Sequence, residues 1–243
     1  MATPGVETSA IGLLKRAVEL DGEKRFTESL VCYQEGIQLL LDVLKATTDE
    51  EKKKRFRQRI TEYMDRAEKL KQHIEAEKEA GRYHEQMKIE NNSTGNSYEK
   101  VFGRFFDEQV TMVEVEDPYI RSNHQVLNFV RFCELIVKSK SKVQTICLTT
   151  GQDQGKGQEE KLSELVKNLE KYNMTLKVTY SASLHDREIR LNNGWVIKIG
   201  RGLDYFKAAD GKFVIGFCDM DLRQCHETTV DIFHKKHSKS VGV

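Results

Sequence analysis

The chain's 243 residues carry 39 Lys and Arg against 38 Asp and Glu, a formal net charge of +1, and give length for two modest domains. Charge so balanced leaves no global field to attract nucleic acid, and no nucleic-acid partner is expected. The charged fraction, the negative mean hydropathy and the lack of any apolar run near the roughly 18 residues of a bilayer span point to a soluble protein.

In chain order, Ile11, Leu14, Ala17 and Val18 predict a short amphipathic helix ending near Asp21-Gly22. Thr27 reads as the N-cap of a second helix, with Phe26 placed to staple onto Val31. That helix carries Leu30, Tyr33, Ile37, Leu40 and Leu44 on one stripe. Thr48-x-x-Glu51 reads as a capping box opening a third helix that runs to about Lys78. Its apolar residues Phe56, Ile60, Tyr63, Ala67, Leu70 and Ile74 form a continuous seam. Three such helices with short loops bury their stripes only against one another, as an antiparallel bundle over residues 8–80. Residues 81–97, with Asn, Ser and Gly toward their end, read as a linker, the earlier part also fitting a helical extension.

From 98 to 243 the pattern is that of an α/β domain. Val110 to Glu116 alternates as a strand, Val126, Phe129, Val130, Cys133 and Ile136 share a helix face, and Val143 to Leu148 is a short apolar strand. Leu162, Leu165, Val166 and Leu169 mark another helix, and Leu176, Val178 and Tyr180 the next strand. Strand, helix, strand, helix, strand implies a parallel core with right-handed crossovers. Ile189 to Leu191 and Trp195 to Ile199 flank Asn192-Asn193-Gly194, a hairpin signal. Phe213 to Cys218 predicts a further strand, and Thr228 to Phe233 fits strand or helix.

The signal for a function is Met64. It lies off the seam of the third helix, about 100° round from Tyr63, with Asp65 and Glu68 nearby. A flexible apolar side chain beside acids suits a groove for an amphipathic partner helix bearing leucines and a base. A stray surface methionine on a plain bundle fits the same geometry.

Leu14-Lys-Arg-Ala-Val-Glu-Leu20, Cys32-Tyr33-Gln-Glu-Gly-Ile37 and Tyr63-Met-Asp-Arg-Ala-Glu-Lys-Leu70 resemble the MIT (microtubule interacting and transport) domain. The resemblance implies that the groove between the second and third helices takes the C-terminal helix of ESCRT-III subunits, the charged multivesicular body proteins. Met64 would then meet partner leucines, and Asp65 and Glu68 the partner's Arg or Lys.

Ser183-Leu-His185-Asp-Arg187, followed by Asn192 and Gly200, resembles a degenerate His-x-Lys-x4-Asp motif of the phospholipase D superfamily. In that superfamily a His attacks the phosphodiester and a second His protonates the leaving oxygen. His185 is kept, but Arg187 stands for the Lys, Asn192 for the Asp, and a single copy is present. The expectation is therefore no catalytic residue, with His185, Arg187 and Asn192 as remnants. The alternative is a phosphodiesterase that pairs His185 across a dimer.

An MIT domain followed by a phospholipase D-like domain resembles a family of cytokinesis adaptors, matched here by Asp117-Pro-Tyr-Ile-Arg121, Leu184 to Arg190, Gly194-Trp195, Gly200 to Phe206 and Cys225 to His234. The resemblance implies an ESCRT-III-binding homodimer docked on phosphoinositide-bearing membranes during abscission. It also implies a cytoplasmic location, peripheral on late endosomes and the midbody. His185, Arg187, Arg190, Lys198, Arg201, Lys207, Lys212 and Arg223, with Lys235 and Lys236, are the candidate phosphate- or membrane-binding groups.

No cofactor or metal is expected. Cys225-His226 with His234 and His237 matches no common zinc spacing, and Gly151 to Gly157 departs from the phosphate-loop pattern. The five cysteines (Cys32, Cys133, Cys147, Cys218, Cys225) lack CxxC spacing and read as reduced, mostly buried thiols of a cytosolic protein.

Overall fold

Three helices precede the first strand: α1 (Pro4–Gly22), α2 (Phe26–Ala46) and α3 (Glu50–Glu79). The computed structural model describes residues 4–153, 155 and 157–235, and the chain divides into two units, Met1–Glu85 and Gln86–Val243. No helix among the described residues is long and apolar enough to cross a membrane.

In the first unit Leu14, Ala17, Tyr33, Ile37, Leu40, Phe56, Ile60 and Leu70 form the core, as the three stripes require. The approach of α1 to α2 is close because Gly36 has no side chain: a Cβ there would lie 2.7 Å from Leu14 Cγ. Beside it the buried Ser29 hydroxyl donates to Ala17 O at 2.8 Å. On the other flank, Arg66 makes two 2.6 Å bonds to the Asp21 carboxylate, and Lys52 pairs with Glu7 at 2.8 Å, tying α3 to α1.

Both expected helix starts shift. α2 begins at Phe26, one residue before Thr27, and its N-cap Arg25 has no side-chain capping bond. The Thr27 hydroxyl, rather than accepting from a helix amide, donates to the Glu85 carboxyl at 2.6 Å. α3 is capped by Asp49 rather than Thr48. One Asp49 oxygen accepts from the Glu51 and Lys52 amides at 2.9 and 3.2 Å, and its charge also favours the helix N-terminus.

The second unit is built on a seven-stranded sheet in the order β1-β7-β6-β5-β2-β3-β4. Its strands are β1 (His84–Ile89), β2 (Met112–Glu116), β3 (Thr145–Thr150), β4 (Thr175–Tyr180), β5 (Glu188–Leu191), β6 (Trp195–Ile199) and β7 (Thr228–His234). β2, β3 and β4 pair in parallel, with α5 (Asn123–Lys138) and α6 (Gly157–Glu170) as crossovers. β5 joins β2 antiparallel, and β5-β6 is the expected hairpin. The undecided stretch at Thr228 is a strand, antiparallel to β6.

Val113, Val115, Ile146 and Leu148 are fully buried, while Glu114, Glu116, Thr145 and Cys147 between them are half-covered. This alternation puts the core on one sheet face. Tyr98 and Phe102 of α4 (Tyr98–Phe102) both meet Phe132 edge to face, and Tyr98 meets Tyr205 likewise. A five-residue helix such as α4 is too short for its periodicity to register in the sequence.

Two expectations are corrected. Residues 81–97 are not all linker, because β1 forms within them. His84 to Ile89 alternates exposed and buried, a period-2 signal masked by its polar neighbours. Phe213 to Cys218 is not a strand. It lies in a loop whose ends are held by a single bridge between Phe206 and Cys225. Gly216 there has φ +84, and Arg223 takes the carbonyls that a ladder would use. Cys218 accordingly is exposed, whereas Cys133 and Cys225 are buried.

Candidate functional site

α3 is built on its buried seam, yet Met64 is 53% exposed. Arg66 and Lys52 mark the flank of α3 that faces α1. Two residues turn a helix by about 200°, so Met64 lies on the other flank, toward α2. Glu68, one turn on, shares its strip, while Asp65 stands about 100° farther out. On α2, Ser29 and Gly36 meet α1. Half-buried Leu30, Leu41 and Leu44 recur on the opposite side of the α2 stripe. Helix phase thus turns Met64, with Glu68 next along α3, and these leucines of α2 toward the same side of the bundle.

A second groove was missed. It lies between α1 and α3, encloses about 660 Å³, and is floored by Leu14, Leu40, Phe56 and Tyr63. Ile11 and Val18, expected in the core, are 43% and 54% exposed at its mouth. Lys52, Arg55 and Arg59 form one wall, and Glu7 and Glu19 lie on the other helix. The two-turn spacing of Ile11 and Val18 was the available signal.

In the second unit the polar side chains gather at the carboxyl ends of β2 and β6. Asp117, just past β2, accepts from the Tyr119 amide at 2.9 Å and the Leu203 amide at 3.3 Å. Burial, the largest influence, raises its pKa, opposed by these two amide bonds and then by Arg187. Asp204 accepts from Asn128 at 3.0 Å and Gln125 at 3.2 Å, with His124 Nε2 at 3.3 Å, all in the first turns of α5. The cap of α5 is Ser122, in a capping box with Gln125. Arg187 donates to Gly200 O at 2.8 Å and lies 4.1 Å from the Tyr119 ring centroid. His226 is nearby, its pKa lowered by burial and then by Arg201 and Lys207. Asp117, Tyr119, His124, Asp204 and His226 did not emerge from the sequence as site residues, because they converge from separate segments.

The three remnants do not come together as a catalytic set. His185 is exposed before β5 and makes no hydrogen bond or ion pair among the described residues. Asn192 lies at the far end of β5 from Arg187. Its Oδ1 accepts from the Thr111 and Met112 amides at 2.9 and 3.1 Å, and its Nδ2 donates to Thr111 Oγ1 at 3.0 Å. It holds the hairpin to the start of β2.

The basic candidates also divide. Arg187 and Arg201 lie at the edge of the sheet formed by the carboxyl ends of β2 and β6, the rim of this unit. Arg190 pairs with Glu116 at 3.0 Å and with Glu188, which Lys198 also meets at 3.3 Å. These four lie on the half-covered sheet face. Lys207 donates to Asn92 Oδ1 at 2.5 Å. Arg223 is spent on the carbonyls of Lys207, Gly216 and Phe217. Lys212 is exposed on the same loop, Lys235 is exposed just after β7, and Lys236 and His237 lie outside the described residues.

A family model of a phospholipase D-like domain at the C-terminus of MIT proteins matches residues 95–234, and the model of the MIT (microtubule interacting and transport) domain matches residues 8–72. MIT domain-containing protein 1 of Mus musculus is 54% identical over 237 residues, covering 96% of this chain and 95% of its own. The chain belongs to this MIT domain-containing family. Its MIT match holds Met64, Asp65, Glu68 and the α1–α3 groove. Its phospholipase D-like match holds the rim around Asp117 and Arg187. β1 falls between the two matches.

Proposed function

We propose that the chain is a non-enzymatic adaptor. Its MIT domain takes the C-terminal helices of ESCRT-III subunits in the α2–α3 groove, and its phospholipase D-like domain docks on anionic, phosphoinositide-bearing membranes. The observation that carries the partner reading is Met64, an apolar side chain left exposed on α3 while the core closes without it. Glu68, on the same strip, reads a partner Arg or Lys, and Asp65 a charge farther out. Arg187 and Arg201 supply the membrane charge, each Lys or Arg near an anionic leaflet contributing about 1 kcal/mol. Homodimerisation presents two MIT domains, so that weak tail binding becomes avid on a polymer. The family resemblance supports a cytoplasmic protein, peripheral on late endosomes and the midbody, that acts in cytokinesis and abscission.

The phosphodiesterase alternative has less support, since His185 has no orienting partner among the described residues and Asn192 serves the hairpin. A second seat for a peptide is favoured by the α1–α3 groove with its exposed Ile11 and Val18. Titration of the full chain with an ESCRT-III C-terminal helix peptide tests both. Met64→Asp weakens binding at least about tenfold under the principal reading. Unchanged affinity, with loss in Val18→Asp, moves the seat to the α1–α3 groove.

A further inference from the structure

The loop between Phe206 and Cys225 carries the most exposed apolar side chains of the described residues. Phe213 is fully exposed and Ile215 is 86% exposed, with Val214, Phe217 and Leu222 beside them. The base is pinned by the Phe206–Cys225 bridge and by Lys207 N donating to Gln224 O at 2.8 Å. Exposed apolar patches of this size mark contact surfaces. We infer that this loop is a wedge that inserts Phe213 and Ile215 into the interfacial layer of a lipid bilayer. The inference rests on the reading of the phospholipase D-like domain as a membrane contact, and replaces charge alone with apolar insertion.

The occupant follows from shape, backbone and charge. A stable protein interface draws on roughly 20–30 residues a side, whereas this loop offers five exposed apolar side chains, two of them almost wholly exposed. Entry into an apolar phase is costly chiefly through unpaired backbone groups. Here the Arg223 guanidinium takes the carbonyls of Lys207, Gly216 and Phe217, and Val214 O accepts the Phe217 amide at 3.1 Å. Gly216 keeps that shape, since a Cβ there would lie 2.7 Å from Leu222 O. Lys212, exposed next to Phe213, is placed at headgroup level. Of the loop's acids, Asp221 pairs with Lys100 at 2.7 Å and Asp219 accepts the Asp221 amide at 2.9 Å, while Asp210 is exposed beside Lys212, which offsets its charge.

The test is co-sedimentation of the full chain with vesicles of phosphatidylcholine alone and of phosphatidylcholine with phosphatidylserine, at low and high salt. Phe213→Ser with Ile215→Ser weakens association at least about tenfold on both vesicles at high salt, where surface charge is screened. Phe213→Trp gives a blue-shifted emission on vesicles that brominated acyl chains quench. Arg187→Glu with Arg201→Glu loses binding only to the anionic vesicles at low salt. Loss in the rim variant with none in the loop variant overturns the wedge and leaves the membrane reading standing. Wild type that binds no vesicle overturns both. A loop variant that shifts the sedimentation coefficient from dimer to monomer assigns the tip to a second copy and overturns the wedge.

Discussion

The guanidinium of Arg187 lies over the Tyr119 ring, 4.1 Å from its centroid, while its Nη1 donates to Gly200 O at 2.8 Å. A planar, delocalised cation makes both contacts at once, which a lysine cannot. Arg187→Lys keeps the charge and loses the stack and the guanidinium bond to Gly200 O. It is expected to cost about 1 kcal/mol, read as a lower midpoint in urea by the fluorescence of Trp195, the chain's single tryptophan. An unchanged midpoint would remove the stack from the account.

Gly202 holds φ +60, and a Cβ there would lie 2.0 Å from Asp117 Oδ2. The left-handed backbone alone costs about 1 kcal/mol in any other residue, and the clash adds to it. Gly202→Ala is expected to destabilise the second unit by about 2 kcal/mol or more. A thermal midpoint within a degree of wild type would contradict the close packing of this turn on Asp117.

Asp117 links stability to pH. Burial raises its pKa in the folded chain above the ordinary carboxylate value, so the folded state binds the proton more tightly than the unfolded one. Its contribution is complete below the unfolded pKa and is lost as pH rises through the folded pKa. The thermal midpoint of wild type minus that of Asp117→Asn should therefore increase as pH is lowered from 7 toward 4.5. A difference that is flat across this range would show that burial does not perturb the group.

Asn192 separates inheritance from use. Asp at this position keeps an acceptor for the Thr111 and Met112 amides, whereas Ala leaves both unpaired. Water can take up these exposed amides, so Asn192→Ala is expected to cost about 1 kcal/mol and Asn192→Asp less. Phosphodiester turnover appearing in Asn192→Asp would instead place the residue in a reaction.

Gly36 sets the distance between α1 and α2. Gly36→Ala gains about 1 kcal/mol of helix propensity but drives a methyl to 2.7 Å from Leu14 Cγ, an overpacking cost of about 1–3 kcal/mol. The net expectation is a lower helical melting midpoint by circular dichroism. Stabilisation would mean that α1 gives way without loss.

The helices and parallel strands were legible in the sequence because each buries one face, and burial imprints its period on the residue pattern. The α3 seam from Phe56 to Ile74 and the alternation in β2 and β4 are of this kind, and Met64 was visible as a departure from such a period. Capping was less legible, since Thr48 and Asp49 are both competent caps and the carboxylate's two contacts settle the choice. The run from Phe213 to Cys218 shows the limit. An apolar run implies burial only if the chain has a surface to lay it against, and here the Arg223 guanidinium and the left-handed Gly216 turn it outward. The same holds for the rim, where Asp117, Arg187 and Asp204 come from three distant segments. Local sequence determines which face of an element is apolar; which faces meet, and which are left to solvent, is decided by contacts across the chain that have no period to read.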